Sequence, residues 1–132
     1  MALLVPDAGE VSLLDMALSD AAPNSQTLKL HSAVSGGIVE GTVHTDFTEA
    51  TFTGYVAKVL ARATWNGAST GGGTTSKTYP QQSWSPGSSQ TILGYYVIET
   101  TAGGILWAET FAASRALVNG DTLNLTPSIE LA

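Results

Sequence analysis

Residues 91–100, Thr-Ile-Leu-Gly-Tyr-Tyr-Val-Ile-Glu-Thr, constrain the fold more than any other segment. In a strand, successive side chains point to opposite faces. Leu93, Tyr95 and Val97 therefore fall on one face, and Ile92, Tyr96 and Ile98 on the other. A strand that is apolar on both sides has to be covered on both sides, which makes it central in a layered sheet. Residues 101–104, Thr-Ala-Gly-Gly, read as a hairpin connection. Residues 105–111 then read as the partner strand, with Trp107 and Phe111 in line.

The remaining pattern is also β, with one exception. Residues 27–32 alternate, with Leu28 and Leu30 on one side and Lys29 and His31 on the other. After the Ser35-Gly36-Gly37 break, residues 38–45 read as a weak strand. In residues 51–60 the strand reading places Phe52, Val56 and Leu60 on one face. A helical period also fits Val56, Val59 and Leu60, but Thr, Phe and Tyr just before them favour strand. Residues 66–75, NGASTGGGTT, read as a flexible loop, and residues 77–84 as a short strand broken by Pro80. Residues 122–131 alternate most cleanly, with Pro127 marking an edge or a bend. The exception lies near the N-terminus. There Asp7 and Glu10 form a capping-box-like pair, and Val11, Leu14 and Leu18 share one face, which predicts a short helix over 9–19. The expected fold is all-β: a single domain spanning 1–132, an antiparallel β-sandwich or jelly roll with one short N-terminal helix.

The chain has 132 residues, no cysteine, 5 basic and 11 acidic residues, and a net charge of −6. Without cysteine there is no disulfide framework, iron–sulfur cluster or thiol chemistry. A nucleic-acid partner needs a cationic face that displaces counterions, and Lys29, Lys58, Arg62, Lys77 and Arg115 are too few and too scattered for one. An anionic membrane partner is disfavoured on the same ground. No stretch reaches the 18 or more apolar residues of a membrane-spanning helix, and the first residues lack the basic start of a secretory signal. The expectation is a protein made and folded in a cytosol. Charged residues form only 12% of the chain, whereas Thr, Ser and Gly number 17, 13 and 14. Short side chains lose little entropy when a surface is buried, which suits a subunit of an assembly.

Candidate chemistry is sparse. His31 and His44, with Glu40, Asp46 and Glu49, match no metal-ligand spacing and read as solvated strand residues, so no metal site and no cofactor is expected. The Gly71-Gly72-Gly73 run lacks the Lys-Ser/Thr ending of a phosphate loop. No Gly-x-Ser-x-Gly elbow accompanies the many serines. Glu99 and Glu109 could oppose one another across the hairpin as glycosidase carboxylates do, but rim residues of a hairpin usually are solvated. No catalytic residue is expected. Trp65, Tyr79 and Trp84 lie near loops, where aromatic rings act as contact anchors, stack on sugars or plug the end of a sandwich.

Several segments together resemble a known group. They are residues 4–14 (Leu-Val-Pro-Asp-Ala-Gly-Glu-Val-Ser-Leu-Leu), Leu28-Lys29-Leu30, residues 47–55 (Phe-Thr-Glu-Ala-Thr-Phe-Thr-Gly-Tyr), residues 91–97, Leu106-Trp107-Ala108-Glu109 and residues 120–127 (Gly-Asp-Thr-Leu-Asn-Leu-Thr-Pro). In this order the chain resembles the capsid decoration or cement proteins of tailed bacteriophages. The resemblance implies a protein on the outer surface of an icosahedral head, bound to the major capsid protein and self-associated as a dimer or trimer. The apolar arm Leu3, Leu4 and Val5 and the ring residues Trp65, Tyr79 and Trp84 are then the expected contacts. The alternative is a tail or fibre module that recognises a host-surface glycan through Trp65, Tyr79 and Trp84.

Overall fold

The structure, a computed structural model, describes residues 26–100 and 103–131. The predicted helix over 9–19 and the arm residues Leu3, Leu4 and Val5 lie outside them. Ten strands run in chain order: β1 Gln26–Val34, β2 Phe47–Glu49, β3 Lys58–Leu60, β4 Ser69–Gly71, β5 Thr74–Thr78, β6 Gln82–Trp84, β7 Gln90–Glu99, β8 Ile105–Leu117, β9 Leu123–Leu125 and β10 Ser128–Leu131. Two 3-10 turns, His44–Asp46 and Arg62–Thr64, are the helical segments among the described residues. The described chain is thus all-β, and the pairs β1–β2, β1–β3, β1–β7, β4–β5, β5–β10 and β7–β8 are antiparallel.

The contacts divide the chain into two compact units. The larger, residues 26–60, 83–100 and 103–124 of those described, is built on a sheet in the order β2-β1-β7-β8, with β3 also on β1. β7 pairs with β1 on one edge, from Gln26↔Glu99 to His31↔Gly94, and with β8 on the other. It is the central strand that its two-sided apolar pattern demands. Opposed residues share a face, so Leu28 meets Val97 and Leu30 meets Tyr95. All four are at most 2% exposed. Removing such side chains from water stabilises the fold by roughly 1.5–3 kcal/mol each.

The free edge of β1 is shared by two short strands. β3 pairs with Gln26–Leu28, and β2 with His31, Ala33 and Val34. Leu30 falls in the gap between them. There Ala50 N–H donates to the Leu30 carbonyl (2.9 Å), and Leu30 N–H donates to the Tyr55 hydroxyl (3.1 Å). A buried backbone left unpaired costs free energy comparable to a lost hydrogen bond, so this loop contact completes the ladder where strand is missing.

The smaller unit contains residues 61–82 and 125–131 of those described, with a sheet in the order β10-β5-β4. Asn66 pairs with Thr78 through its backbone (3.0 Å) and through its side-chain amide to Thr78 Oγ1 (3.0 Å). Tyr79 N–H donates to the Pro127 carbonyl (2.8 Å), fixing the end of β5 against the approach to β10.

Several sequence expectations are corrected. Residues 66–75 are not a loop throughout, because 69–71 and 74–78 form the β4–β5 hairpin. Its two-residue turn needs positive φ at both positions, and Gly72 (φ 61°) and Gly73 (φ 82°) supply it. Residues 38–45 are not a strand: Thr42 and Asp46 bond back to Val39 and Val43, and the chain closes into turns. Residues 51–60 are strand only at Lys58–Leu60. Tyr55 N–H donates to the Phe52 carbonyl (2.9 Å), turning the chain. Phe52 and Leu60 are buried, but Val56 is 66% exposed. The final strand divides at Pro127 into β9 and β10.

Candidate interaction surface

Within the larger unit the two faces of β1 differ. Opposite the Leu28 and Leu30 face lies a polar and aromatic one. Lys29 stands across from Tyr96, and His31 across from both Gly94 and Glu49. Lys29 Nζ meets Glu49 Oε2 at 2.9 Å. The Tyr55 hydroxyl donates to Glu49 Oε1 at 2.9 Å. Burial, reinforced by the Glu49 carboxylate, pushes the Tyr55 phenol well above its ordinary range. The same two causes push Tyr96 up to about 12. Phe47 stacks on Tyr96 (4.4 Å between centroids) and meets the His31 ring edge-on (5.0 Å).

His31 is not the solvated residue that its alternation suggests. It is fully buried. Its Nε2 lies 3.4 Å from the Glu109 carbonyl oxygen of β8, and its Nδ1 has no partner with hydrogen-bond geometry. Burial lowers its pKa below the ordinary value, with the Glu109 and Ala33 backbone groups opposing. The ring reaches β8 only because residue 94 is glycine. A Cβ there would overlap the Glu109 carbonyl and sit 2.6 Å from His31 Nε2. No sequence period encodes this; the signal is a register position, visible once β1, β7 and β8 are paired. His44 is exposed and lies in the 3-10 turn, so the two histidines do not form a pair on one strand. Among the described residues no group of three or more His, Cys, Asp or Glu side chains is placed to hold a metal.

The expected ring contacts are inward. Trp65 and Tyr79 are each 6% exposed and meet edge to face at 5.3 Å. The Tyr79 hydroxyl accepts from Ala61 N–H at 3.1 Å. Trp84, 3% exposed, donates from Nε1 to the Val56 carbonyl (2.8 Å), with Lys58 Nζ 5.3 Å from its ring centroid. In this conformation the three rings are structural plugs and present no open face to a sugar or a partner. Lys77, one of the five scattered cations, is 1% exposed and shares the buried side of β5 with Thr75. Glu99 and Glu109 do not oppose one another: Glu99 pairs with Gln26, and Glu109 with Tyr95.

The surface that is open lies on two other elements of the larger unit. The first is β8, thirteen residues long and paired among the described residues with β7 alone. Its residues 109, 110 and 112–116 are exposed and carry only Glu109 and Arg115 as charges. Between Gly94↔Thr110 and Ile92↔Arg115, β7 advances two residues while β8 advances five, so β8 bulges outward. Arg115 folds back over Phe111, 5.9 Å from its ring. The sequence reading stops this strand at Phe111, because Ala112-Ala113-Ser114-Arg115-Ala116 carries neither strand propensity nor a period.

The second element is the loop over 35–46. Ser35 N–H donates to the Asp46 carbonyl (2.8 Å), Val39 N–H to Thr42 Oγ1 (2.8 Å) and Val43 N–H to Asp46 Oδ2 (2.9 Å). The loop is closed on itself, yet it displays Val39 and Val43 at 63% and 52% exposure. A tied loop has less entropy left to lose on binding. The His44 ring comes to 3.7 Å of the position a Cβ on Gly103 would take, so this loop stands beside the hairpin that leads into β8.

No known protein family matches the chain, and no curated protein sequence matches it.

Proposed function

We propose that this chain is a virion structural protein that binds the outside of an icosahedral phage head and ties neighbouring capsomers together. The observation that supports this reading best is the long strand β8, nearly free of charge over its exposed residues and paired among the described residues with β7 alone, which suits strand addition. A monomer exposing such an edge is prone to wrong pairing, so natural sheets keep one mainly where it is blunted or used. The bulge at 111–114 blunts it in part. On this reading the fold is an antiparallel sandwich, and the protein acts as a dimer or trimer on the major capsid protein. Repetition over a shell supplies avidity that no single contact needs to provide.

The cations fit a role away from nucleic acid. Lys29 is paired with Glu49, Lys58 lies on Trp84, Arg115 on Phe111, and Lys77 is buried. The role is one of contact, not catalysis.

The test is copy number in purified virions, measured by mass spectrometry against the major shell protein. A ratio near one, or a simple fraction such as about one-third, supports the reading, because closed assemblies repeat contacts by symmetry. A handful of copies per particle moves the chain to the tail. Absence from virions overturns the reading.

A further inference from the structure

We infer that His31 is an acid-sensitive latch that holds β2 and the loop over 35–46 against the β1–β7–β8 seam while its ring is neutral, and releases them when the ring is protonated. The inference does not depend on the proposed function.

The geometry carries it. The ring is fully buried and spans three strands: it belongs to β1, passes over Gly94 of β7 and reaches the Glu109 carbonyl of β8. Phe47, the first residue of β2, closes over it edge-on and stacks in turn on Tyr96. A neutral ring with its proton on Nε2 donates to Glu109 and leaves Nδ1 bare, a modest penalty. Protonation puts a second N–H on Nδ1, which the Ala33 backbone favours but which finds no acceptor in good hydrogen-bond geometry, so burial still dominates. It also puts a full charge into a site lined by aromatic rings. A buried charge without a partner is far more costly than a buried neutral group.

The charged and titratable groups packed around the ring do not offset this cost. Lys29 of β1 carries the same sign. Glu49 of β2, opposite His31 in register, has its two oxygens taken by Lys29 and by the Tyr55 hydroxyl from the following loop. Tyr96 of β7 is neutral in the acid range. β8 offers the Glu109 carbonyl at Nε2, while the Glu109 carboxylate belongs to an exposed residue. Relief comes from moving Phe47 aside. That uncovers Nδ1 and frees the loop that ends at Asp46, with Val39 and Val43 on it.

The chain has two histidines, so each can be followed by its ring-proton resonance in the intact protein. The titration is run from pH 8 to pH 4.5, with amide hydrogen exchange at each pH corrected for its intrinsic rate. The expected result is a His31 midpoint below the ordinary imidazole value of 6.5. Protection of residues 31–34 and 47–50 should fall about tenfold per pH unit below the ordinary imidazole pKa, as loss of one proton-linked contact requires. Protection of β4, β5 and β10 should hold. His31→Gln, which keeps a donor for Glu109, should remove the pH dependence. A His31 midpoint at or above 6.5 overturns the inference, and so does a loss of protection spread evenly over all strands. PH-dependent exchange that survives in His31→Gln also overturns it. The titration needs no variant, so a His31→Gln chain that fails to fold leaves the test intact.

Discussion

β7 and β8 are the two arms of one hairpin, joined along a shared ladder, and they are used in opposite ways. β7 is paired on both edges and buries Ile92, Gly94, Tyr95, Tyr96 and Val97. Among the described residues β8 is paired on one edge, and seven of its thirteen residues, 109, 110 and 112–116, form an exposed run of mainly short side chains. The pairing between them slips by one residue near the hairpin end, between Val97 and Ile98, and far more beyond Thr110, where β8 gains three residues. β7 therefore specifies the fold, and β8 tolerates change in it. A strand hydrogen-bonded on both sides cannot offer its backbone to a partner, and a bulged edge strand can.

The sharpest way to break this comparison is at Gly94, where the two arms and His31 come closest. Gly94→Val places a Cβ onto the Glu109 carbonyl, a backbone atom that can move only with the strand. Overpacking a core costs about 1–3 kcal/mol, and more where backbone is the obstacle. The expected outcome is loss of the cooperative urea transition, or a midpoint lowered by the equivalent of about 3 kcal/mol or more. Gly104→Ala, at the start of the other arm, meets open space and should change stability by less than about 0.5 kcal/mol. Similar losses at both positions would mean that the arms are not distinct.

Next in size is the core on either side of the pair. Leu30→Ala, across from Tyr95 on β7, should cost about 2–5 kcal/mol in chemical denaturation. Leu106→Ala removes a leucine from β8 that is 45% exposed, so its cost should stay near or below about 1 kcal/mol.

This contrast also explains how much was legible beforehand. β7 follows its two-sided apolar pattern closely, and β1 does so on its Leu28 and Leu30 face, because burial is what selects those residues. Pro127 and the Gly-Gly pair at 103–104 mark real breaks for backbone reasons that residue type carries directly. The β4–β5 hairpin was hidden because its strands are Ser, Thr, Gly and Lys, with no apolar alternation to see. The candidate surface was hidden for the same reason: Ala and Ser in β8 record no face. Trp65, Tyr79 and Trp84 misled in the other direction. Their neighbours in sequence include turn residues, yet their rings are folded inward, Tyr79 against Ala61 and Trp65, and Trp84 against Val56. Burial of His31 depends on a glycine 63 positions away, which no local pattern records.

A smaller effect tests the seam through pH. His31 has a folded pKa below its ordinary 6.5. Between those two values the unfolded chain binds more protons than the folded one, so stability rises with pH there and falls as acid is added. The slope from this one group is at most about 1.4 kcal/mol per pH unit. Urea midpoints should be flat from pH 8 to about 7 and decline from about 6.5 downward, before the carboxylates begin to titrate. In His31→Gln the upper part of that decline should vanish. A midpoint that rises on going from pH 7 to pH 5.5 would contradict the burial of His31 as a neutral ring.

The smallest expected effect on stability is the one that bears on function. Ala113 sits in the bulge of β8, exposed and outside the regular β7 register. Ala113→Lys changes no buried contact and should alter the denaturation midpoint by less than about 0.5 kcal/mol. Lysine on an edge strand is nonetheless a standard block to strand addition, since its charge has to be desolvated by any incoming chain. If β8 is the contact edge, the variant should fold normally and lose co-sedimentation with purified phage heads that lack the protein. The same substitution at Ser69, on a strand of the smaller unit, should leave binding unchanged. Loss of binding from Ser69→Lys with Ala113→Lys intact would reverse the assignment: β8 would be an edge protected by its bulge, and the contact would belong to the smaller unit.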